Sequence, residues 1–208
     1  MPYWWVRRND KQLNCQVECD DWHLFRKALV DGHGVILLSP HAGCFELLGP
    51  IYSSHHPSTV LFRLPRKNWL QPWIIKMRSR PQLTMAPANG SGVRMLVKTL
   101  LKGQTIGILP DQVPALGDGV WASFFGRPAY TMTLVQRLQN ISGASIFVLG
   151  AERLGIGLGY RLHVHPIARQ RDSDPVIAAG EMNSEMERMI RRMPTQYLWG
   201  YNRYKMPT

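Results

Sequence analysis

A histidine and a glutamate lie five residues apart in the segment Ser39 to Glu46, which reads SPHAGCFE. An imidazole held by a carboxylate has one fixed tautomer, and its free ring nitrogen can take a proton from a hydroxyl group. His41 and Glu46 therefore have the residue types of a general base and its partner. Because five residues of a continuous helix turn through about 500°, the two side chains would not share a helix face. We expect His41 on a turn, Gly43 at the bend, and Glu46 in the first turn of the following helix.

The residues before this segment form a short apolar run bounded by glycine and proline, Gly34 to Ser39. Such a run predicts a buried strand, and α/β folds place their ligands beyond the carboxyl ends of strands. Cys44 offers a second kind of chemistry, a thiol nucleophile activated by His41. A small buried thiol is the commoner role for such a cysteine, and we favour it here.

The rest of the chain alternates strand and helix patterns. The predicted strands are 34–39, 59–62, 82–85, 105–109, 145–151 and 160–165, and the predicted helices are 43–53, 68–78, 92–102, 130–141 and 174–192. Ser91 is the expected N-cap of helix 92–102. Residues 111–129 contain glycine and proline and predict a long functional loop. The alternation predicts one α/β domain over residues 1–208, with a mainly parallel or mixed central sheet flanked by helices.

The composition excludes several classes of protein. Apolar residues make up 45% of the 208 residues, which argues against a disordered chain. No apolar run approaches the roughly 18 residues that a membrane span needs, and the first residues lack the apolar stretch of a secretory signal. Three cysteines argue against a disulfide framework. Cys15, Cys19 and His23 would share one helix face, but no fourth ligand is evident nearby, so we expect no metal.

The charge is strongly basic, with 25 Lys and Arg against 14 Asp and Glu, a net charge of +11. Such a surface needs an acidic partner: nucleic acid, anionic lipid or an acidic carrier protein. One basic cluster alternates with tryptophan and isoleucine, which favours a membrane interface; its members are Arg63, Arg66, Lys67, Trp69, Trp73, Ile74, Ile75, Lys76, Arg78 and Arg80. Nucleic acid is supported by net charge alone, because no known nucleic-acid-binding motif appears, and we expect no nucleic-acid partner.

Further blocks follow the His41 segment in a fixed order. They read VLFR at 60–63, NWL with a later KMR at 68–78, GILPDQ at 107–112, FFGRPAYT at 124–131, and QYLW followed by NRYK at 196–205. Together with the H-x4-E segment they resemble the lipid A biosynthesis acyltransferase family, the lauroyl and myristoyl transferases. That family belongs to the wider H-x4-D/E glycerolipid acyltransferase superfamily. The similarity covers about residues 15–206.

The resemblance implies an enzyme that moves a fatty acyl group from an acyl thioester to a hydroxyl of a lipid A precursor or related glycolipid. His41 would be the general base, and Glu46 would orient it. The donor would be acyl carrier protein or acyl-coenzyme A, and no cofactor is expected because a thioester is already activated. Four residues are candidates to bind the substrates' phosphate or sugar groups or to hold a hydroxyl or an arginine: Arg63, Arg78, Asp111 and Arg127.

Two departures from the family pattern leave alternatives open. The family usually reads H-x-G-N-W-E, whereas Cys44 and Phe45 stand here, which leaves open another membrane glycolipid or an amino-acid lipid as acceptor. The family also normally carries an N-terminal membrane helix, and this chain begins inside the conserved region. We therefore expect either a short member held peripherally on the cytoplasmic face of a bacterial inner membrane by basic and aromatic contacts, or a non-catalytic lipid- or carrier-binding remnant.

Overall fold

A computed structural model describes residues 17–19, 21–63, 67–168 and 174–208. Seven strands form one mixed, mostly parallel sheet in the order β1-β9-β8-β2-β5-β3-β4, in which only β8 and β9 pair antiparallel. Their bounds are β1 Val17–Glu18, β2 Val35–Leu38, β3 Ser58–Phe62, β4 Leu83–Pro87, β5 Thr105–Ile108, β8 Ser145–Arg153 and β9 Tyr160–Ile167. A separate antiparallel hairpin consists of β6 Gly119–Phe124 and β7 Arg127–Met132. The predicted α/β class with a mixed central sheet is confirmed.

Helices cover the sheet. Their bounds are α1 Trp22–Val30, α2 Leu48–Ser53, α3 Gln71–Arg78, α4 Gly90–Leu101, α5 Leu134–Ser142 and α6 Pro175–Arg192, and 3-10 turns form at Phe45–Leu47, Asn68–Leu70 and Pro194–Gln196. No helix in the described part of the chain is both long and apolar enough to cross a bilayer.

The strand β2 is buried on both faces, as its unbroken run of apolar residues predicts. Ile36 and Leu38 belong to the core that includes Leu96 of α4 and Met186 of α6. Val35 and Leu37 point to the opposite face, where the core includes residues of α1 and α2. Because β2 lies in the middle of the sheet, the segment that follows it is anchored on both sides.

The prediction of a loop over residues 111–129 is wrong from Gly119 onward, because β6 and β7 form a tight hairpin there. Phe125 and Gly126 have φ of 46° and 74°, the left-handed backbone that a two-residue hairpin turn requires. Ala122 and Phe124 are buried while Trp121 and Ser123 are exposed, an alternation typical of a half-buried strand. Since β7 continues to Met132, the helix predicted from residue 130 begins only at Leu134.

The chain before β2 also differs from expectation. Sequence analysis considered a helix over residues 15–23, but β1 occupies Val17–Glu18 and α1 begins at Trp22. Cys19 therefore precedes the helix, and Cys15 lies outside the described residues. No cluster of His, Cys, Asp and Glu suited to a metal ion occurs in the described ranges.

The helix α4 is capped by Asn89 rather than by the predicted Ser91. The Asn89 side chain accepts hydrogen bonds from the backbone N–H groups of Ser91 and Gly92 and from the Ser91 hydroxyl. Asn89 supplies the oxygen because it has the extended backbone of an N-cap, whereas Ser91 is already helical.

We expect Asn89→Ala to lower the free energy of unfolding by about 1 kcal/mol, because two helix N–H groups lose their acceptor. Ser91→Ala, the matched control, should change it by less than about 0.5 kcal/mol. Urea denaturation followed by circular dichroism measures both values. A larger loss for Ser91→Ala than for Asn89→Ala would show that the cap is wrongly placed.

Candidate active site

The backbone after β2 makes a sharp bend that fixes His41. Gly43 has φ of 60°, and a side chain there would overlap the carbonyl of Ala151 in β8. The N–H of Gly43 donates to the Gln196 carbonyl at 2.9 Å, and the N–H of Cys44 donates to the Ala151 carbonyl at 2.7 Å. The expectation that glycine makes this bend is confirmed. The histidine thus lies on a turn held by both β8 and the C-terminal segment.

The side chain against His41 is Asp111, which is brought there by the turn after β5. The Nδ1 atom of His41 lies 2.6 Å from Oδ1 of Asp111, and the His41 backbone N–H donates to Oδ2 at 2.8 Å. The carboxylate is 2% exposed and the imidazole 17% exposed. Because an ionised carboxylate can only accept, a neutral imidazole in this contact carries its proton on Nδ1 and its lone pair on Nε2.

In the described part of the chain, the second ring nitrogen of His41, Nε2, has only a weak contact, with Gln112. The side-chain amide of Gln112 lies 3.3 Å from Nε2, long for a hydrogen bond, and donates to it. Both residues line one cavity at the carboxyl ends of the strands. A hydroxyl entering the cavity could take the place of Gln112 at Nε2 and donate its proton there.

Two residues of the C-terminal segment support Asp111. The phenol of Tyr197 donates to the carboxylate, and burial together with the Asp111 charge raises the pKa of Tyr197, so the phenol stays protonated. Arg203 is buried and interacts electrostatically with Asp111, while it donates to the Tyr130 carbonyl and the Thr131 hydroxyl, both at 2.7 Å. A buried carboxylate is stable only with such hydrogen bonds and a nearby positive charge.

Glu46 does not orient His41, contrary to expectation. It lies in the 3-10 turn leading into α2, as predicted, but its carboxylate accepts from Nε of Arg78 at 3.0 Å and from a second guanidinium nitrogen. This fork-like pair is about one-third exposed and lines the same cavity as His41. The spacing indicated two groups close in sequence, but Asp111, seventy residues away, occupies the position against Nδ1.

The cavity has a volume of about 400 Å³, and its charged lining residues lie at one end. His41, Glu46, Arg63, Arg78 and Gln112 lie at the carboxyl ends of the strands. Beyond them the walls are mostly apolar, from α2 and the strands β3, β4 and β5: Leu48, Pro50, Val60, Leu61, Phe62, Leu83, Met85, Ile108 and Leu109. The cavity reaches Thr105 at the start of β5, about 13 Å of strand from Leu109. Such a shape suits a long apolar chain with a polar group at one end.

The other predicted binding residues fall in different places. Arg63 is exposed and lines the cavity. Arg127 lies on the hairpin, with its guanidinium 4.0 Å from the centre of the Tyr204 ring, and it is not among the cavity residues. Asp111 does not line the cavity; it acts behind His41. Arg66 of the basic cluster lies outside the described residues.

Gln112, Tyr197 and Arg203 were not predicted as site residues, although each lies inside a block that resembles the family. Their positions in the GILPDQ and QYLW–NRYK blocks were the only signal. Contacts between residues so far apart in sequence carry no spacing pattern that could reveal them.

Cys44 has the environment of a structural thiol. Its side chain is buried and is not part of the cavity wall. Burial raises the pKa of the thiol, and this outweighs the opposite effect of Arg153. The thiolate is the nucleophilic form, so these surroundings oppose the alternative of cysteine catalysis.

Comparison with known proteins identifies the group to which this α/β chain belongs. A family model described as bacterial lipid A biosynthesis acyltransferase matches residues 3–206. The chain is 29% identical over 206 residues to the lipid A biosynthesis palmitoleoyltransferase of Escherichia coli K12, and 25% identical over 210 residues to the lauroyltransferase of the same strain, covering 99% of this chain in both cases. It is 24% identical over 193 residues, 92% of the chain, to a lipid A biosynthesis acyltransferase of Haemophilus influenzae.

The site is a His–Asp pair at the charged end of a mostly apolar cavity, on a mostly parallel sheet. The chain belongs to the bacterial lipid A biosynthesis acyltransferase family. It spans 66% of the length of the two Escherichia coli relatives and 60% of the Haemophilus relative.

We expect Cys44 to react slowly with iodoacetamide at pH 8.5, because the raised pKa leaves less thiolate than an unperturbed cysteine has at that pH. Reactivity should increase as the pH rises further. Mass spectrometry of peptides from native and denatured protein measures the rates. Alkylation of Cys44 at the same rate in both states would contradict its assignment as a buried, structural thiol.

Proposed function

We propose that this protein is an O-acyltransferase that moves a fatty acyl group from an acyl thioester to a hydroxyl of a lipid A precursor or related glycolipid, with His41 as general base. The observation that carries the proposal is the position of His41 Nε2, which has the lone pair in a neutral ring, at the charged end of a mostly apolar cavity. Membership of the lipid A acyltransferase family and the printed names of its relatives support the reaction class.

The proposed reaction is a single acyl transfer. Nε2 of His41 takes the proton of the acceptor hydroxyl while its oxygen attacks the thioester carbonyl carbon. The new C–O bond forms as the C–S bond breaks, and the departing thiolate takes the proton back from the imidazolium. Asp111 holds the Nδ1 tautomer and stabilises the positive charge that forms on the ring. The steps balance without a cofactor, and the donor is acyl carrier protein or acyl-coenzyme A.

The cavity is the proposed site of the acyl chain. Its apolar walls run along β3, β4 and β5 away from His41, so a thioester carbonyl at the polar end leaves the chain to fill the apolar part. Burial of the chain contributes roughly 0.8 kcal/mol for each methylene group. This contribution makes the enzyme sensitive to chain length.

Arg78 and Arg63 are the proposed anion-binding residues. Glu46 fixes the plane of the Arg78 guanidinium at the polar end of the cavity, where its remaining N–H groups can bind a phosphate or sugar oxygen. Glu46 therefore positions Arg78 rather than His41. Arg127 has no part in this proposal, because it packs on Tyr204 away from the cavity.

A peripheral place on the cytoplasmic face of a bacterial inner membrane fits the surface next to the site. Trp69 is 74% exposed and Trp73 is 50% exposed, beside the exposed Lys67 and Lys76. Indole rings prefer the headgroup region, and lysine is attracted to anionic lipid. Both tryptophans follow β3, whose carboxyl end borders the cavity.

The alternative acceptor, another membrane glycolipid or an amino-acid lipid, has one structural observation in its favour. Phe45 stands where the family usually has tryptophan, lines the cavity, and packs edge-on against the imidazole at 4.9 Å between ring centres. Its smaller ring changes the wall beside the reacting nitrogen. Identification of the acylated product from a membrane lipid extract by mass spectrometry distinguishes the two acceptors.

We expect His41→Ala and Asp111→Asn each to lower acyl transfer by about a hundredfold to ten-thousandfold, since loss of general-base catalysis has that effect. Cys44→Ser, the control, should retain most activity. The assay is transfer from acyl carrier protein or acyl-coenzyme A to extracted lipid A precursor. Transfer at the wild-type rate by both His41→Ala and Asp111→Asn would end the proposal.

We expect Arg78→Ala and Glu46→Gln to raise KM for a phosphorylated acceptor more than they lower kcat, because both affect anion binding rather than proton transfer. Loss of a hydrogen bond to a charged group corresponds to about 1.5–3 kcal/mol, or about a tenfold to hundredfold rise in KM. If Glu46→Gln lowered kcat as much as His41→Ala does, the proposal would be contradicted, and Glu46 would be the residue that supports His41.

A further inference from the structure

We propose that the loop joining β8 and β9, residues 154–159, is a second membrane anchor that inserts Ile156 and Leu158 into an anionic bilayer. It would lie on the other side of the active site from the Trp69 and Trp73 surface. The proposal builds on the proposed function, since it specifies how the enzyme meets the membrane that holds its acceptor.

The loop exposes aliphatic side chains that the protein does not cover. Its sequence is LGIGLG. Ile156 is fully exposed and Leu158 is 70% exposed. Three of its six residues are glycine, which turns favour, but the other three are large apolar residues and none is charged. Two exposed aliphatic side chains separated by one glycine at the tip of a hairpin indicate that the tip contacts an apolar partner.

The loop emerges at the edge of the sheet that holds the site. β8 runs parallel to β2, with Leu38 opposite Val148, so its carboxyl end extends beyond β2 at the His41 edge. The base of the hairpin contacts the catalytic turn directly, because Ala151 accepts from the N–H of Cys44. The backbone of Arg153 also exchanges hydrogen bonds with the side chain of Gln196.

The tip and the tryptophan surface flank the active site. In the sheet order, β2 and β5 separate β8 from β3, the strand that leads to Trp69 and Trp73. Three strand spacings correspond to about 14 Å. His41 follows β2 and Asp111 follows β5, so the catalytic pair lies between the two apolar surfaces. Leu198 and Trp199, both substantially exposed, lie at the same edge, where Leu198 donates to the His41 carbonyl.

The positive charge around the loop favours anionic lipid, and not a neutral apolar molecule, as the partner that contacts the loop. The chain has a net charge of +11. Arg153 and Arg161 are exposed at the strand ends next to the tip, and Arg63, Lys67 and Lys76 are exposed on the tryptophan side. Basic residues around exposed Trp, Ile and Leu are the combination that binds the surface of an anionic bilayer. Contact on both sides would hold the opening of the cavity against the lipid surface, so the acceptor could enter without leaving the membrane.

The test compares vesicle binding of the whole chain and two double variants. Ile156→Ser with Leu158→Ser removes the aliphatic tip. Val30→Ser with Ile141→Ser is the matched control, because these aliphatics are also mostly exposed but precede β2 and β8, at the opposite edge of the sheet. Binding is measured by sedimentation with phosphatidylglycerol–phosphatidylcholine vesicles, at low and high salt. Light scattering records the oligomeric state of each protein.

We expect the tip variant to lose at least about tenfold in its partition coefficient, because two aliphatic side chains no longer enter the bilayer. The control should bind like the wild type, and high salt should weaken binding by all three proteins. Wild-type binding by the tip variant would overturn the proposal. So would a change in oligomeric state without a change in vesicle binding, since the tip would then be a protein interface. Because vesicle binding needs no turnover, failure of acyl transfer would count against the proposed function alone.

Discussion

The interaction on which the structure depends is the contact between the imidazole of His41 and the buried carboxylate of Asp111. A carboxylate that is 2% exposed needs hydrogen-bond donors and a nearby positive charge. The donors come from the turn after β2 and from Tyr197 near the C-terminus, and the charge comes from Arg203. Arg203 in turn binds the backbone of β7. The turn after β2, the hairpin β6–β7 and the last residues of the chain are therefore joined through one carboxylate.

The ion pair between Glu46 and Arg78 lies nearby but is more exposed to solvent than the His41–Asp111 contact. Glu46 and Arg78 are about one-third exposed and form their contact at the polar end of the cavity. Exposure leaves the guanidinium free to exchange partners with a ligand, which the buried Asp111 does not do. Under the proposed function, the buried pair fixes a proton and the exposed pair binds an anion, which would explain why one short motif contains both His41 and Glu46.

The sequence predicted much of the fold because its strong signals are local. Short stretches of sequence were enough to predict the local conformation in three places: the apolar run of β2, the glycine at residue 43 and the Asp-Pro start of α6. The hairpin β6–β7 was missed because its glycine and proline were interpreted as loop signals, although Phe125 and Gly126 form a tight turn. β1 and α1 were missed because their segment was considered only for metal binding.

Four residues of the candidate site were named from the sequence, but their pairing was not predicted. His41, Glu46, Arg78 and Asp111 were all named, and the cavity brings three of them together. The partner of His41 could not be read from spacing, because Asp111 reaches it through the parallel pairing of β2 and β5. Tyr197 and Arg203 interact with Asp111 because the C-terminal segment packs near the turn after β5. Such contacts are set by tertiary structure, which one sequence does not display.

Determining the tautomer of His41 tests most directly whether Asp111, and not Glu46, is the partner of the imidazole. Nitrogen-15 NMR of the histidine side chains, with His41→Ala used for assignment, reports which ring nitrogen carries the proton. At a pH where the ring is neutral, we expect protonation at Nδ1 in the wild type and in Glu46→Gln, and loss of that preference in Asp111→Asn. A preference that survived Asp111→Asn and disappeared in Glu46→Gln would contradict this expectation.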